Sequence, residues 1–124
     1  MPVGSVAGTI SAVISQAAPI FKGLIFNTAI APNTDFFPAP GITPTNTPTL
    51  YKIYVCLSAA GIFRVRRTRG INTVNENLNS GKTLTANAGY GFEILVNAGD
   101  TINFQTDVAC NIVGCIVVEK DWVE

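Results

Sequence analysis

Tyr51-Lys52-Ile53-Tyr54-Val55-Cys56-Leu57 is the stretch that decides the fold class. Tyr51, Ile53, Val55 and Leu57 fall on one side of an extended chain, and Lys52, Tyr54 and Cys56 fall on the other. That two-residue period belongs to a strand with one face on a core. The rhythm continues downstream. Phe63 and Val65 alternate with Arg64 and Arg66, and Asn72 to Leu78 reads as a more polar strand with Val74 and Leu78 inward. Phe92, Ile94 and Val96 alternate with Glu93 and Leu95; Ile102 and Phe104 alternate with Thr101, Asn103 and Gln105. Between these runs lie Ser58-Ala59-Ala60-Gly61, read as a hairpin connection, and the turn sequences Asn79-Ser80-Gly81-Lys82 and Asn97-Ala98-Gly99-Asp100. Short strands separated by turn formers predict an all-β antiparallel sandwich or barrel.

The last strand, Asn111 to Glu119, is apolar on both sides, with Ile112, Ile116 and Val118 against Val113, Cys115 and Val117. Such a strand belongs in a sheet covered on both faces or in a subunit interface. Upstream, Phe21 to Ile30 is a further strand. Ala31 to Pro48 holds Pro32, Pro38, Pro40, Pro44 and Pro48, so it is loop or edge, with a short pairing segment at Thr34 to Phe37. Residues 1–19 carry no charge and many small side chains. They read as the first strand or as an N-terminal arm that docks on a neighbouring subunit, and residues 20–124 as the β-sandwich domain. Val6, Ile10, Val13 and Ile14 are the arm's apolar contacts, and Val113, Cys115, Val117 and Trp122 are the matching candidates near the C-terminus.

Composition points the same way. The 124 residues fit one domain. Only 13% are charged, against about 25% on average, while 48% are hydrophobic. A surface so poor in charge is expected to be partly buried against other subunits. The formal net charge is zero, which provides no bulk attraction to nucleic acid or to an anionic membrane. No apolar run approaches the ~20 residues of a membrane-spanning helix. The N-terminus lacks the basic start and long apolar core of a secretory signal.

The chain has no histidine, which removes the commonest general base and the usual triads and zinc sites. A carboxylate pair would need Glu76 and Glu93 to meet on facing strands. Asp100 is expected to shape its own turn by accepting backbone amides. Cys56, Cys110 and Cys115 are too few, and odd in number, for a disulfide framework. Arg64, Arg66, Arg67 and Arg69 form the one charge cluster, which suits salt bridges or an anion patch for phosphate or acidic glycan. Ser80-Gly81-Lys82-Thr83 lacks the upstream glycine of a phosphate-binding loop. Tyr54 and Trp122 are candidate exposed aromatics. No catalytic residue, cofactor or metal is expected.

Three stretches carry a resemblance: Leu78-Asn79-Ser80-Gly81-Lys82-Thr83-Leu84, Gly89-Tyr90-Gly91-Phe92-Glu93-Ile94-Leu95-Val96, and Ala98-Gly99-Asp100-Thr101-Ile102-Asn103-Phe104, followed by a closing hydrophobic strand. This second half resembles small β-sandwich structural proteins of tailed phages and archaeal viruses. It is similar in rhythm to complement-type and tumour-necrosis-factor-like jelly-roll heads. The resemblance implies a jelly-roll-like sandwich, often trimeric, mounted on a capsid or fibre of a virion, with no catalytic residues. Its expected partners are further copies of itself and other capsid or fibre proteins, with neither nucleic acid nor membrane. An extracellular filament subunit that exchanges its arm, or a carbohydrate-binding module, are the other expectations.

Overall fold

The computed structural model describes residues 20–44, 48–97 and 99–120. They form an all-β sandwich of two antiparallel sheets. The strands are β1 (Ile20–Ile30), β2 (Thr49–Leu57), β3 (Phe63–Arg69), β4 (Asn72–Asn77), β5 (Gly89–Val96), β6 (Asp100–Thr106) and β7 (Cys110–Lys120). The larger sheet runs β1-β7-β2-β5 and the smaller β4-β3-β6. The N-terminal arm, residues 1–19, and Trp122 lie outside the described residues.

Alternation sets which side chains enter the core. Tyr51, Ile53, Val55 and Leu57 of β2 are buried, as are Phe63 and Val65 of β3, Ile94 and Val96 of β5, and Ile102 and Phe104 of β6. Phe63 sits at the centre. Its ring stacks on Phe104 at 5.4 Å and 8° and on Phe92 at 6.0 Å, and Phe36 tilts against it at 5.7 Å. These rings come from both sheets and from the proline-rich segment, so one aromatic cluster joins all three.

That segment departs from a simple loop. Backbone amides of Asn33, Phe36 and Ile42 donate to the carbonyls of Thr106, Phe104 and Ile102, and Ile102 returns a bond to Ile42. The chain therefore runs antiparallel along the outer edge of β6, interrupted where the prolines cannot donate. A Cβ at Gly41 would lie 2.5 Å from the carbonyl oxygen of Ile102, so this close approach requires glycine. Beneath it, Asn103 exchanges two bonds with the backbone of Phe37 (2.9 and 2.8 Å), and Gln105 donates to Asp35 at 2.7 Å. These two polar residues face away from the core as their alternation demands, yet they are buried under the segment.

Three sequence expectations are corrected. Ser58-Ala59-Ala60-Gly61 is no hairpin, because β2 and β3 belong to different sheets and the stretch crosses between them. Val74 lies opposite Arg67 on the core-side face but is not buried, since all of β4 is exposed and Val74 is 57% accessible. On β7, the alternation breaks at the register shift opposite Cys56 and Leu57. Val113 is an extra residue there, so Ile112 joins Cys115 and Val117 in the core rather than sharing a face with Ile116.

The aromatic cluster makes a direct prediction. Phe63→Ala removes the ring that the other three touch and should lower the unfolding free energy by about 3–5 kcal/mol, read from denaturant titration. A loss below about 1 kcal/mol would contradict this account of the core.

Candidate assembly surface

The outer face of the larger sheet is built from the residues that alternation turns away from the core. Strand register lines them up in rows across the sheet. One row is Leu24, Ile116, Tyr54 and Gly91; the next is Phe26, Gly114, Cys56 and Gly89. A third begins with Phe21 and ends with Lys52 opposite Glu93. Phe21, Leu24, Phe26 and Tyr54 are 64%, 56%, 55% and 45% exposed, a contiguous apolar band. The Lys52 ammonium lies 5.4 Å from the centre of the Tyr54 ring, so the charge at the band's margin is itself held on an aromatic face.

Within the band is a hollow of about 360 Å³, walled by Tyr54, Cys56 and Ile116 and floored by Gly89, Gly91 and Gly114. The Cys56 thiol is half-buried there, whereas Cys115 lies in the core, where burial pushes its thiol up to about 12. Cys110 is raised by burial as well.

The arginines lie on the other sheet and have internal partners. Arg64 bonds Asn33 and Gln105, and Arg66 pairs with Asp35 at 3.1 Å. Arg67, on the core side of β3 like Phe63 and Val65, bonds the carbonyl of Leu95 at 2.7 Å and Glu76 at 3.2 Å. Arg67 and Arg69 both approach Asp100, at 3.7 and 2.5 Å. Asp100 is only 2% exposed, and Arg69 is its main partner. The Arg69 hydrogen bond, then the charges of Arg69 and Arg67 and the Asn97 amide, hold its carboxyl below the usual value against the opposing effect of burial. The Asn97 amide fits the expected turn role of Asp100, and the arginines add a second one. The residue ties the start of β6 to β3, and Arg67 carries that link to β5 through the Leu95 carbonyl.

Several candidate contacts from the sequence are elsewhere. Val6, Ile10, Val13, Ile14 and Trp122 lie outside the described residues. Cys115 and Val117 are fully buried between the sheets and Val113 is half-buried at the bulge. The outward residues of β7 are instead Gly114 and Ile116, because the bulge resets the alternation. Glu76 and Glu93 sit on different sheets, one paired with Arg67 and the other opposite Lys52. Tyr51 is buried, its hydroxyl donating to Glu119 at 3.2 Å, and burial followed by the charge of Glu119 raises its phenol. Tyr90 accepts the Thr85 amide at 2.8 Å. Sequence reading missed the hollow. Its signal was the outward glycines at positions 89 and 91, which only become meaningful once Gly114 is placed beside them.

Among the described residues, no group of three or more Cys, Asp or Glu gathers where it could hold a metal ion. Comparison with protein-family models, curated proteins and solved structures gives no match, so the surface is interpreted from its own geometry.

Asp100 predicts an acid limb in stability. The unfolded chain binds this proton more readily than the folded one. The contribution is therefore complete above the unfolded value of ~3.9 and is lost as pH falls through the lower folded value. Asp100→Asn should lower the melting temperature at neutral pH and flatten its fall below about pH 4. An unchanged acid limb in the variant would refute the assignment.

Proposed function

We propose that the chain is a structural subunit of a virion, a capsid-decoration or fibre-head protein that assembles through the outer face of its larger sheet. The observation that carries this reading is the uncovered apolar band centred on Leu24, Phe26 and Tyr54. Apolar patches on lone monomers run to about 300–600 Å² and are often functional.

The strand order supports the kind of subunit proposed. With residues 33–42 counted as a degenerate second strand along β6, the sandwich has eight strands. The larger sheet then takes the first, eighth, third and sixth, and the smaller takes the second, seventh, fourth and fifth. Counted in this way, the order supports the reading as a jelly roll, an architecture common in viral capsids. A carbohydrate-binding module fits less well. Tyr51 and Tyr90 point inward with their hydroxyls engaged, which leaves Tyr54 as the one outward tyrosine among the described residues.

Assembly through this face has a clear test. Light scattering over a concentration series should give a defined oligomer for the unaltered chain. Leu24→Lys with Phe26→Glu should give a folded monomer, because both side chains are already solvent-facing in the subunit and carry no core packing. A strict monomer for the unaltered chain at every concentration would refute self-assembly. A mass that grows without limit would favour the filament reading, in which the contact does not close.

A further inference from the structure

The glycines of the outer face are unexplained by the subunit itself. Elsewhere among the described residues, glycine either makes room for a neighbour or takes a positive φ. A Cβ at Gly23 would lie 2.7 Å from the Phe37 ring, and one at Gly61 would lie 2.5 Å from Val108. Gly89, Gly91 and Gly114 differ. A Cβ at Gly89 would meet nothing within 4 Å, and those at Gly91 and Gly114 would make ordinary contacts of 3.5 and 3.7 Å with Tyr54 and Phe26. None of the three has the positive φ that favours glycine. Glycine inside a strand weakens the strand, and it commonly marks a place where a ligand or another backbone comes close. Here Gly89 and Gly91 lie two residues apart on β5, Gly114 lies on β7 across Cys56 of β2, and all three line one hollow.

We infer that this glycine-floored hollow receives the uncharged segment 1–19 of a neighbouring copy, laid down as extended backbone. The inference rests on the assembly reading above and names the occupant of that surface. Three features favour this occupant. The segment has no charged side chain, and neither do the walls of the hollow. Its run Gly4-Ser5-Val6-Ala7-Gly8-Thr9 is rich in small side chains, which let a backbone approach a flat floor closely. At ~3.3 Å per residue it reaches about 60 Å, several times the width of a four-stranded sheet. The exposed parts of Phe21, Leu24, Phe26 and Tyr54 come to roughly 400 Å², about half of the ~800 Å² per partner of a stable interface. The segment supplies the missing area.

The test uses the full chain. Gly89→Val and Gly91→Ala are each examined by light scattering, thermal melting and the alkylation rate of Cys56 followed by mass spectrometry. The melting temperature of the dissociated subunit should hold or rise, since both sites accept a side chain in a strand. The dissociation constant of the assembly should rise at least about tenfold, a 1.4 kcal/mol effect, and Cys56 should become more reactive. An assembly of unchanged mass and affinity, with an unchanged Cys56 rate, overturns the inference while leaving assembly through the apolar band intact. Should either variant fail to fold, cross-linking decides. Chains carrying Cys56→Ser together with Ala7→Cys, Ala12→Cys or Ser15→Cys are mixed with the unaltered protein and treated with a short bismaleimide. A linked pair joined at Cys56 of the unaltered copy is the expected product. With Cys56 retained beside the new thiol, links confined within single chains would overturn the neighbour as the source, and absence of any link to Cys56 would overturn the site. A strict monomer throughout would overturn this inference and the assembly reading together.

Discussion

Phe63 is the contact on which the sandwich depends. The two sheets share no strand, so only side chains hold them face to face. The rings of Phe63 and Phe104 come from the smaller sheet, Phe92 from the larger, and Phe36 from the segment that edges β6. The cluster thus fixes the spacing of the sheets and anchors the proline-rich chain at the same time. Tyr90 extends it, stacking on Phe92 at 6.3 Å and 3°. Because the core is closed by rings at its centre, the charged groups can be pushed to its end. There Arg67, Arg69, Glu76 and Asp100 seal the opening between β3, β4 and the start of β6.

Much of this was legible in the sequence because strand alternation is a local property. The inward faces of β2, β3, β5 and β6 follow directly from spacing two residues apart, and so does the outward direction of Arg64 and Arg66. What failed was non-local. Sequence spacing cannot show that Ser58 to Gly61 steps between sheets, because a short polar connection looks alike in either case. The Val113 bulge was equally hidden. It depends on pairing with β2, and it puts Ile112 in the core beside Cys115 and Val117, the residues that simple alternation set on the opposite face. Asp100 was read as a turn residue, and the Asn97 amide does approach it, but its main partner lies 31 residues earlier in the chain.

The apolar band illustrates the same limit. Leu24 and Phe26 are ordinary strand residues that would pass as core when taken singly, and Tyr54 reads from the sequence only as a lone exposed aromatic. Only the register of β1 on β7 and of β7 on β2 shows that they form rows on one outer face. The low charge content was the one global hint that such a face would exist. A fold with eight carboxylates and eight basic residues cannot cover both sheets with charge. All four arginines are on the smaller sheet, in β3, where they find their partners.

The sheet edges are treated unequally. An exposed strand edge invites pairing with another chain unless it is blunted. In the smaller sheet, β4 presents Asn72, Thr73, Asn75, Glu76 and Asn77, a polar edge that gains nothing from a partner's apolar strand. Its other edge, β6, is covered by residues 33–42, whose prolines cannot extend the ladder further. In the larger sheet, β1 is an edge strand of 11 residues with Lys22 its one charged side chain, and it carries Phe21, Leu24 and Phe26 toward solvent. A lone monomer under pressure to stay soluble would place charge or proline in β1. Here β1 has Lys22 alone, and the prolines lie along the smaller sheet. The long, weakly charged edge β1 therefore borders the same outer face on which the three glycines lie.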